Sequence, residues 1–409
     1  MESLVKNIQL KLTPVIRGTA KLLPASKSIS NRALIINALA GSQSQLHNLS
    51  DANDTQLMLR LVNSPDKTID VEDAGTTMRF LTAYFTVTRQ NKVLTGTSRM
   101  KERPIALLVE ALRHIGAEID YLGVDGYPPH EIKNFPGQKS RTLTIRGDVS
   151  SQYISALMMI APTLPEGLIM KLTGKIGSRP YIEMTASIMA HFGVTCDLGT
   201  DEVSIAPQSY QSNSYTVESD WSAASYWFAL VALSSNAEIA LPRLHTKSLQ
   251  GDSTIVDIMK SLGVKAERKG ELLHLNKIPS LESLSWDFTH CPDLAQTVAV
   301  VCAAKGIRGE FTGLESLRIK ETDRIAALQN ELRKIGADLV EESNIKWTLI
   351  PSSQLPSEAT FESYKDHRMA MAFAPLCTLM DVVIEKPDVV KKSYPNFWND
   401  LQSVGIKTL

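Results

Sequence analysis

Cysteine is scarce in this sequence, and what there is lies scattered. The 409 residues hold four, Cys196, Cys291, Cys302 and Cys377, with no Cys-x-x-Cys pair and no Cys/His spacing of a metal site. The pattern offers neither a disulfide framework nor a structural zinc centre, and points to a reduced, cytoplasmic protein. An excess of positive charge is missing too. Lys and Arg number 43 against 44 Asp and Glu, a formal net charge of −1, so there is no basic field for a nucleic acid. No stretch approaches the roughly 20 uninterrupted apolar residues of a membrane span. The opening MESLVKNIQLKLTP alternates polar and apolar residues like a strand and lacks the apolar core of an export signal. No Pro/Gly/Ser-rich linker marks a domain boundary.

What is present is the composition of a folded globular protein, 43% apolar and 21% charged. At this length one core is too few, and two domains of about 200 residues are expected.

Five segments share one pattern, an amphipathic helix, a glycine, then a short apolar or alternating run: ALRHIGAEID, IMAHFGVTCD, IMKSLGVKAE, ELRKIGADLV and LQSVGIKTL. Their glycines, Gly116, Gly193, Gly263, Gly336 and Gly405, recur at intervals of 77, 70, 73 and 69 residues. Ile105, Leu108, Leu112 and Ile115 share a helical face, as do Ile255, Ile258, Met259 and Leu262, and Ile325, Leu328, Leu332 and Ile335. A glycine after the last apolar residue suits the left-handed conformation that ends many helices. Helix–Gly–strand is common in α/β proteins, but five near-equal spacings make a repeat, with a sixth copy expected near LMLRLVNSPDKTIDV, where the glycine is absent. The expectation is six α/β units, three per domain, divided near Thr216 to Asp220.

Charge is concentrated at helix starts. PASKSISNRALIINALA, DAGTTMRFLTAYF, RMKERPIALLVEAL, VSSQYISALMMIAP, GSRPYIEMTASIM and RIKETDRIAALQNEL each open on small or hydroxyl residues beside a basic one. Ser26, Thr76, Ser151, Ser178 and Thr322 are candidate caps, and Pro104 and Pro180 stand where a first helical turn accepts proline. Free N–H groups and the helix dipole make each start an anion site. Each alone reads as a capped helix with a solvated cation. Together, Lys27, Arg32, Arg79, Arg99, Lys101, Arg103, Lys320, Arg324 and Arg368 in a chain with no net positive charge point to a cleft for a small polyanion, clasped by arginine. Among these cations, Asp293 in CPDLAQTVAV reads as a helix cap or an acid–base group. Glu321 reads as an ion-pair partner or an acid–base group, and His367 in YKDHRMAMAF as a general base or a buried structural histidine.

The motifs SKSISNR, DAGTTMR, TGTSRMKERPI, VSSQYISALMM, KETDR and DHRMAM, in this order, resemble those of the enolpyruvylshikimate-phosphate synthases, from Lys27 to the KKSYPNFW segment. The resemblance implies an α/β (α+β) fold, a two-domain inside-out α/β barrel. Each domain is built of three βαβαββ units, with the active site in the inter-domain cleft. Residues 1–17 and 218–409 would form a discontinuous domain around an inserted one, 18–217. The implied reaction transfers the enolpyruvyl group of phosphoenolpyruvate to the 5-hydroxyl of shikimate 3-phosphate, releasing phosphate.

Carried over by motif, Lys27, Ser28 and Arg32 hold shikimate 3-phosphate, Lys27 also meeting phosphoenolpyruvate. Ser150, Ser151, Gln152 and Ser178 surround the shikimate phosphate and ring. Gly75, Arg99, Arg324, Arg368 and Lys392 bind phosphoenolpyruvate. Asp293, Lys320 and Glu321 form the acid–base group, with Asp293, Glu321 and Lys27 carrying the proton traffic and Asp293 and Lys320 also touching the shikimate hydroxyls. Ser316 stands near the shikimate site where an asparagine is usual, Asp73 replaces a frequent asparagine, Arg179 a frequent lysine, and the segment between Arg32 and Asp73 is short. The resemblance implies no metal, no cofactor, no nucleic-acid or membrane partner, and a monomer. A related transferase acting on a UDP-sugar would carry a reactive cysteine in the loop that here reads TGTSRMKERPI. An RNA 3′-phosphate cyclase would need a histidine nucleophile. A non-catalytic paralogue would not need Lys27, Asp293 and Glu321 together.

Overall fold

A computed structural model describes residues 7–148, 150–174, 176, 177 and 179–409. Strands β1 (Asn7–Leu10) and β2 (Val15–Thr19) lead to α1 (Lys27–Leu39), β3 (Leu46–His47) and α2 (Asn53–Leu61). Then come β4 (Thr68–Asp70), α3 (Gly75–Val87), β5 (Lys92–Thr95), the single turn α4 (Ser98–Lys101), α5 (Ala106–His114), β6 (Glu118–Tyr121) and β7 (His130–Asn134). The next unit is β8 (Thr142–Arg146), α6 (Ser151–Ile160), β9 (Leu168–Thr173), α7 (Arg179–His191), β10 (Asp197–Leu198) and β11 (Glu202–Ile205). After β12 (Tyr215–Thr216) follow α8 (Trp221–Leu233), β13 (Asn236–Pro242), α9 (Ile255–Ser261), β14 (Val264–Lys269) and β15 (Leu272–Lys277). The chain continues through β16 (Ser283–Asp287), α10 (Ala295–Lys305), β17 (Arg308–Thr312), α11 (Arg324–Arg333), β18 (Asp338–Ser343) and β19 (Lys346–Ile350). It finishes with β20 (Glu358–Phe361), α12 (His367–Phe373), β21 (Asp381–Glu385) and α13 (Phe397–Ser403).

Four sheets have the same order: β4-β5-β7-β6, β8-β9-β11-β10, β2-β13-β15-β14 and β16-β17-β19-β18. In each, a parallel pair is extended by an antiparallel hairpin; in three of them one helix joins the pair, as in a βαβ unit, while the link from β2 to β13 runs through the whole of residues 26–217 before α8. A fifth, β20-β21-β1, borrows its antiparallel strand from the start of the chain, and Leu10 of β1 bridges to Thr408. The sixth sheet is only the parallel pair β12-β3. It has lost its hairpin, and the run TID after α2 is instead β4, the first strand of the next unit. That explains the missing glycine: α2 closes on Val62 in right-handed conformation, whereas Gly116, Gly193, Gly263, Gly336 and Gly405 all have φ between 76 and 118°. A side chain at Gly116 would also meet the Gly137 carbonyl oxygen at 2.3 Å.

The chain divides into two compact units, residues up to Ala25 with Glu218–Leu409, and Ser26–Val217. Within each, the helix that leads into the second parallel strand of a sheet is inner and the next helix is outer; where the parallel strands lie far apart in the chain, the inner helix is α1, just before β3, or α8, just before β13. The inner helices α3, α6, α8, α10 and α12 are buried nearly all round and apolar to match. In one unit α1, α3 and α6 pack on one another, and in the other α8, α10 and α12 do so. The outer helices α5, α9 and α11 bury only the faces expected of them, with Ile105, Leu108, Leu112, Ile255, Ile258, Met259, Ile325 and Leu332 fully buried. This is the inside-out α/β arrangement, helices within and sheets without.

All four cysteines are free. Burial pushes the thiols of Cys196, Cys291 and Cys377 up to about 12, away from thiolate chemistry. Among the described residues no helix is long and apolar enough to cross a membrane.

Candidate active site

The inner helices bring their N-termini, not their flanks, to the predicted residues. Lys27, Gly75 and Ser151 are the first residues of α1, α3 and α6; Ser222 and Arg368 are second in α8 and α12; Asp293 sits in the turn Pro292–Leu294 that leads into α10. Helix starts carry unpaired N–H groups and partial positive charge, so this placement follows from the unit topology and favours anions.

In the Ser26–Val217 unit, Ser26 caps α1 by accepting from Ile29 N. Lys27 Nζ lies 2.9 Å from Asp54 Oδ2, both largely buried. Ser28 is half-buried and its carbonyl accepts from Arg32 Nη1 at 2.9 Å. Arg32 is buried, bonding Thr185 Oγ1 at 2.8 Å and Ser155 Oγ at 2.9 Å, with Phe80 and Tyr181 beside the guanidinium. Its hydrogen-bond partners among the described residues are all neutral, and burial pulls its pKa down to about 10. A buried cation with neutral partners is electrostatically unsatisfied, which suits an incoming anion.

On α3, Gly75 accepts from Arg79 Nη1 through its carbonyl, and Arg103 covers its Cα so closely that an added Cβ would stand 2.8 Å from Nη2. Gln152 Nε2 donates to Thr76 Oγ1 at 3.1 Å, tying the start of α6 to that of α3. Arg99 is exposed and pairs with Glu102 at 2.9 Å.

The other unit holds a compact charge cluster. Asp293 Oδ1 accepts from Arg324 Nη1 and Oδ2 from Arg368 Nη2, both at 2.9 Å, and Lys320 Nζ stands 3.9 Å from Oδ1. Arg324, the first residue of α11, also donates to Asp366 Oδ2 at 2.7 Å and Glu321 Oε2 at 2.9 Å. Burial alone would raise Asp293, but Arg368, Lys320 and Arg324 outweigh it and hold its pKa well below the carboxylate range. The same carboxylates push Arg324 up against its burial. Lys320 moves down, because burial outweighs the pull of Asp293. Asp252 is buried, accepts from the Ser222 hydroxyl, and among the described residues has no hydrogen-bond partner at Oδ1. Burial first, then the nearby charge of Asp293, raise it to about 7. His367 is buried beside Asp366. Lys392 is half-buried at the end of the turn Pro387–Lys392, which packs on α12. Ser316 is exposed in the turn Glu315–Ile319.

A fold of repeated βαβαββ units with cations and carboxylates at its helix starts has known counterparts. The family model for EPSP synthase (3-phosphoshikimate 1-carboxyvinyltransferase) matches residues 14–64 and 60–401. The chain belongs to the EPSP synthase family. It is 47% identical over 397 residues to a 3-phosphoshikimate 1-carboxyvinyltransferase of Bacteroides fragilis, 95% of this chain and 96% of that one. It is 37% identical over 428 residues to one of Photobacterium profundum, 97% and 99% of the two chains. A solved EPSP synthase from Acinetobacter baumannii superposes with a TM-score of 0.78 over 98% of this chain and 99% of that one; at 18% identity it shares the fold.

Against this family's fold, several local expectations change. Thr76 lies inside α3, whose N-cap Ala74 offers no side-chain bond. Ser150, not Ser151, caps α6, and Asp323, not Thr322, caps α11. Pro104 precedes α5, where its carbonyl accepts from Arg79, while Pro180 does stand in the first turn of α7. Ser178 lies outside the described residues. Two groups went unnoticed in the sequence as site members, Asp54 and Asp252, and Arg103, counted there among the cleft cations without a substrate role, lies over Gly75. Arg103 alone left a signal, in the basic run RMKERPI. Asp54 and Asp252 have no charged motif around them and are placed by packing.

Proposed function

We infer that the chain is a 3-phosphoshikimate 1-carboxyvinyltransferase of the shikimate pathway, on the route to chorismate and the aromatic amino acids. The observation that carries this reading within the site is Asp293 held between Arg324, Arg368 and Lys320 at the head of α10. Lys27, Ser28, Arg32, Ser150, Ser151, Gln152 and Ser178 are assigned to shikimate 3-phosphate. Arg324, Arg368, Lys392 and Gly75 are assigned to phosphoenolpyruvate. Arg103, whose guanidinium lies against Gly75, fits the latter role better than the exposed Arg99.

In the reaction the shikimate 5-oxygen bonds to C2 of phosphoenolpyruvate, its proton passes to a base, and C3 takes up a proton to become methyl. The tetrahedral intermediate then loses a methyl proton as the C2–O bond to phosphate breaks. Asp293, Glu321 and Lys27 are assigned to these transfers. With two arginines on its oxygens Asp293 is a weak base. The phosphate and carboxylate of phosphoenolpyruvate, drawn to Arg368 and Arg324, would neutralise those cations and restore its basicity as substrate arrives. Lys320, poised low by burial, gives up a proton more readily than a solvated lysine. The cations stabilise developing charge by preorganisation.

Phosphate release with shikimate 3-phosphate and phosphoenolpyruvate together is the test. Turnover that needs both substrates is expected. Release that persists without shikimate 3-phosphate, or that a UDP-sugar supports instead, would overturn the assignment.

A further inference from the structure

Between β20 and α12 the chain makes a turn, Glu362–Asp366, with an unusual backbone. Tyr364 and Lys365 are consecutive left-handed residues, φ 52 and 54°. Neither is Gly, Asn or Asp, the types that visit this region readily, so two adjacent Cβ atoms are held against the steric preference of the chain. Such a conformation persists only when its surroundings over-determine it. The residue that follows is Asp366, whose carboxylate grips Arg324 and also caps α12 by accepting from Arg368 N at 2.8 Å. The turn therefore decides where the two arginines meet Asp293.

Helix α11 holds this turn at two points. At its start, Arg324 binds Asp366. Seven residues on, two turns along the same face, Glu331 is fully buried. Its Oε2 accepts from Glu362 N at 3.0 Å and its Oε1 from Tyr364 Oη at 2.8 Å. Lys334, much more exposed, balances its charge at 2.7 Å. The Asp366 N–H bonds back to the Ser363 carbonyl at 2.7 Å, closing the turn. One grip falls on Glu362 and Tyr364 and the other on Asp366, so the left-handed pair is held from both ends. An apolar residue in place of Glu331 would fill the space more simply, but could not accept from two donors of the turn at once.

We propose that Glu331 is a positioning residue: by fixing Glu362 and Tyr364 it holds the left-handed turn that aims Asp366, and through Asp366 it sets the geometry of Arg324 and Arg368 toward an anionic substrate. This rests on the assignment of those arginines to phosphoenolpyruvate. Glu331 touches no substrate and acts through the turn.

The test separates backbone aim from mere stability. Lys365 is exposed, so substitutions there change the backbone preference and little else. Lys365→Gly adopts the left-handed conformation freely and keeps wild-type kinetics. Lys365→Val, β-branched and resistant to φ > 0, raises KM for phosphoenolpyruvate about tenfold, given how steeply rates fall with small misplacements. It leaves KM for shikimate 3-phosphate within about twofold. Tyr364→Phe, which removes one Glu331 bond, moves KM in the same direction, and Glu331→Gln moves it further if it folds. Melting temperature is measured alongside, because a purely structural role would lower it without splitting the two KM values. An unchanged phosphoenolpyruvate KM in Lys365→Val and Tyr364→Phe, or equal rises for both substrates, overturns the proposal. If wild-type protein lacks the transferase activity altogether, the functional assignment fails instead, and the two failures are told apart by that control.

Discussion

At the scale of single residues the site is governed by which carboxylate carries a proton. Asp293 is charged because three cations surround it. Asp252, close enough to feel that charge, is buried with no ion pair among the described residues, and burial and Asp293 outweigh Arg368 to raise it to about 7. Asp293→Asn should retain both substrates and lose turnover by about 10²–10⁴, the usual worth of a proton-transfer group. Its oxygen can still accept from an arginine, but it cannot take a proton. Steady-state rates within about threefold of wild type would exclude that role. Asp252 gives a pH signature. Folding raises its pKa from an ordinary 3.8 to about 7, so the folded state binds the proton more tightly. Its contribution to stability is complete below about pH 4 and is lost as the pH climbs to about 7. Asp293 acts oppositely, its contribution being present above the ordinary carboxylate range and lost on acidification. Asp252→Asn should therefore flatten the decline in stability between about pH 4 and 7 and leave the acid limb alone. Denaturant midpoints across that range check this, and parallel wild-type and variant curves would contradict it.

At the scale of elements, the outer helices were legible and their first turns were not. The apolar faces of α5, α9 and α11 and their terminal glycines lie where the periodicity puts them, because both depend on neighbours within a few residues. Caps misled because several hydroxyl and carboxyl residues stand side by side at each start. In KETDR the threonine and the second acid both suit a cap, and Asp323 takes it, accepting from Ile325 N and Ala326 N at 3.1 Å. Asp323→Ala should cost about 1 kcal/mol and lower the melting temperature measurably. Thr322→Ala should leave it nearly unchanged, the order reversing if Thr322 were the cap. Because α11 carries both Arg324 and Glu331, kinetic loss in Asp323→Ala should follow the loss of the helix start and not exceed it.

For the molecule as a whole, the repeat explains both the size of the chain and how it is cut. Three sheets and three inner helices complete each unit, and residues 26–217 form one of them without a contribution from either chain end. The other is assembled from two segments, with Ala25 bridged to Ser219 where the chain leaves and returns, and with β1 paired to β21. A fragment of residues 26–217 should fold alone and melt cooperatively, since its core of α1, α3 and α6 is its own. Near-UV dichroism and calorimetry on the fragment decide this; a broad, non-cooperative transition would show that the unit depends on the rest of the chain.

The sequence by itself determined the repeat, the glycine-ended helices and the helix starts that carry Lys27, Gly75, Asp293, Arg324 and Arg368. All of these are written in local patterns, a period, a cap or a run of charge. Only the tertiary structure decided which charges meet. Asp54 reaches Lys27, Arg103 reaches Gly75, Asp252 feels Asp293, and Glu331 holds the turn before Asp366, across separations of 27, 28, 41 and 31 to 33 residues. Such pairings arise from packing, where distance in space sets the energy and distance along the chain leaves no trace.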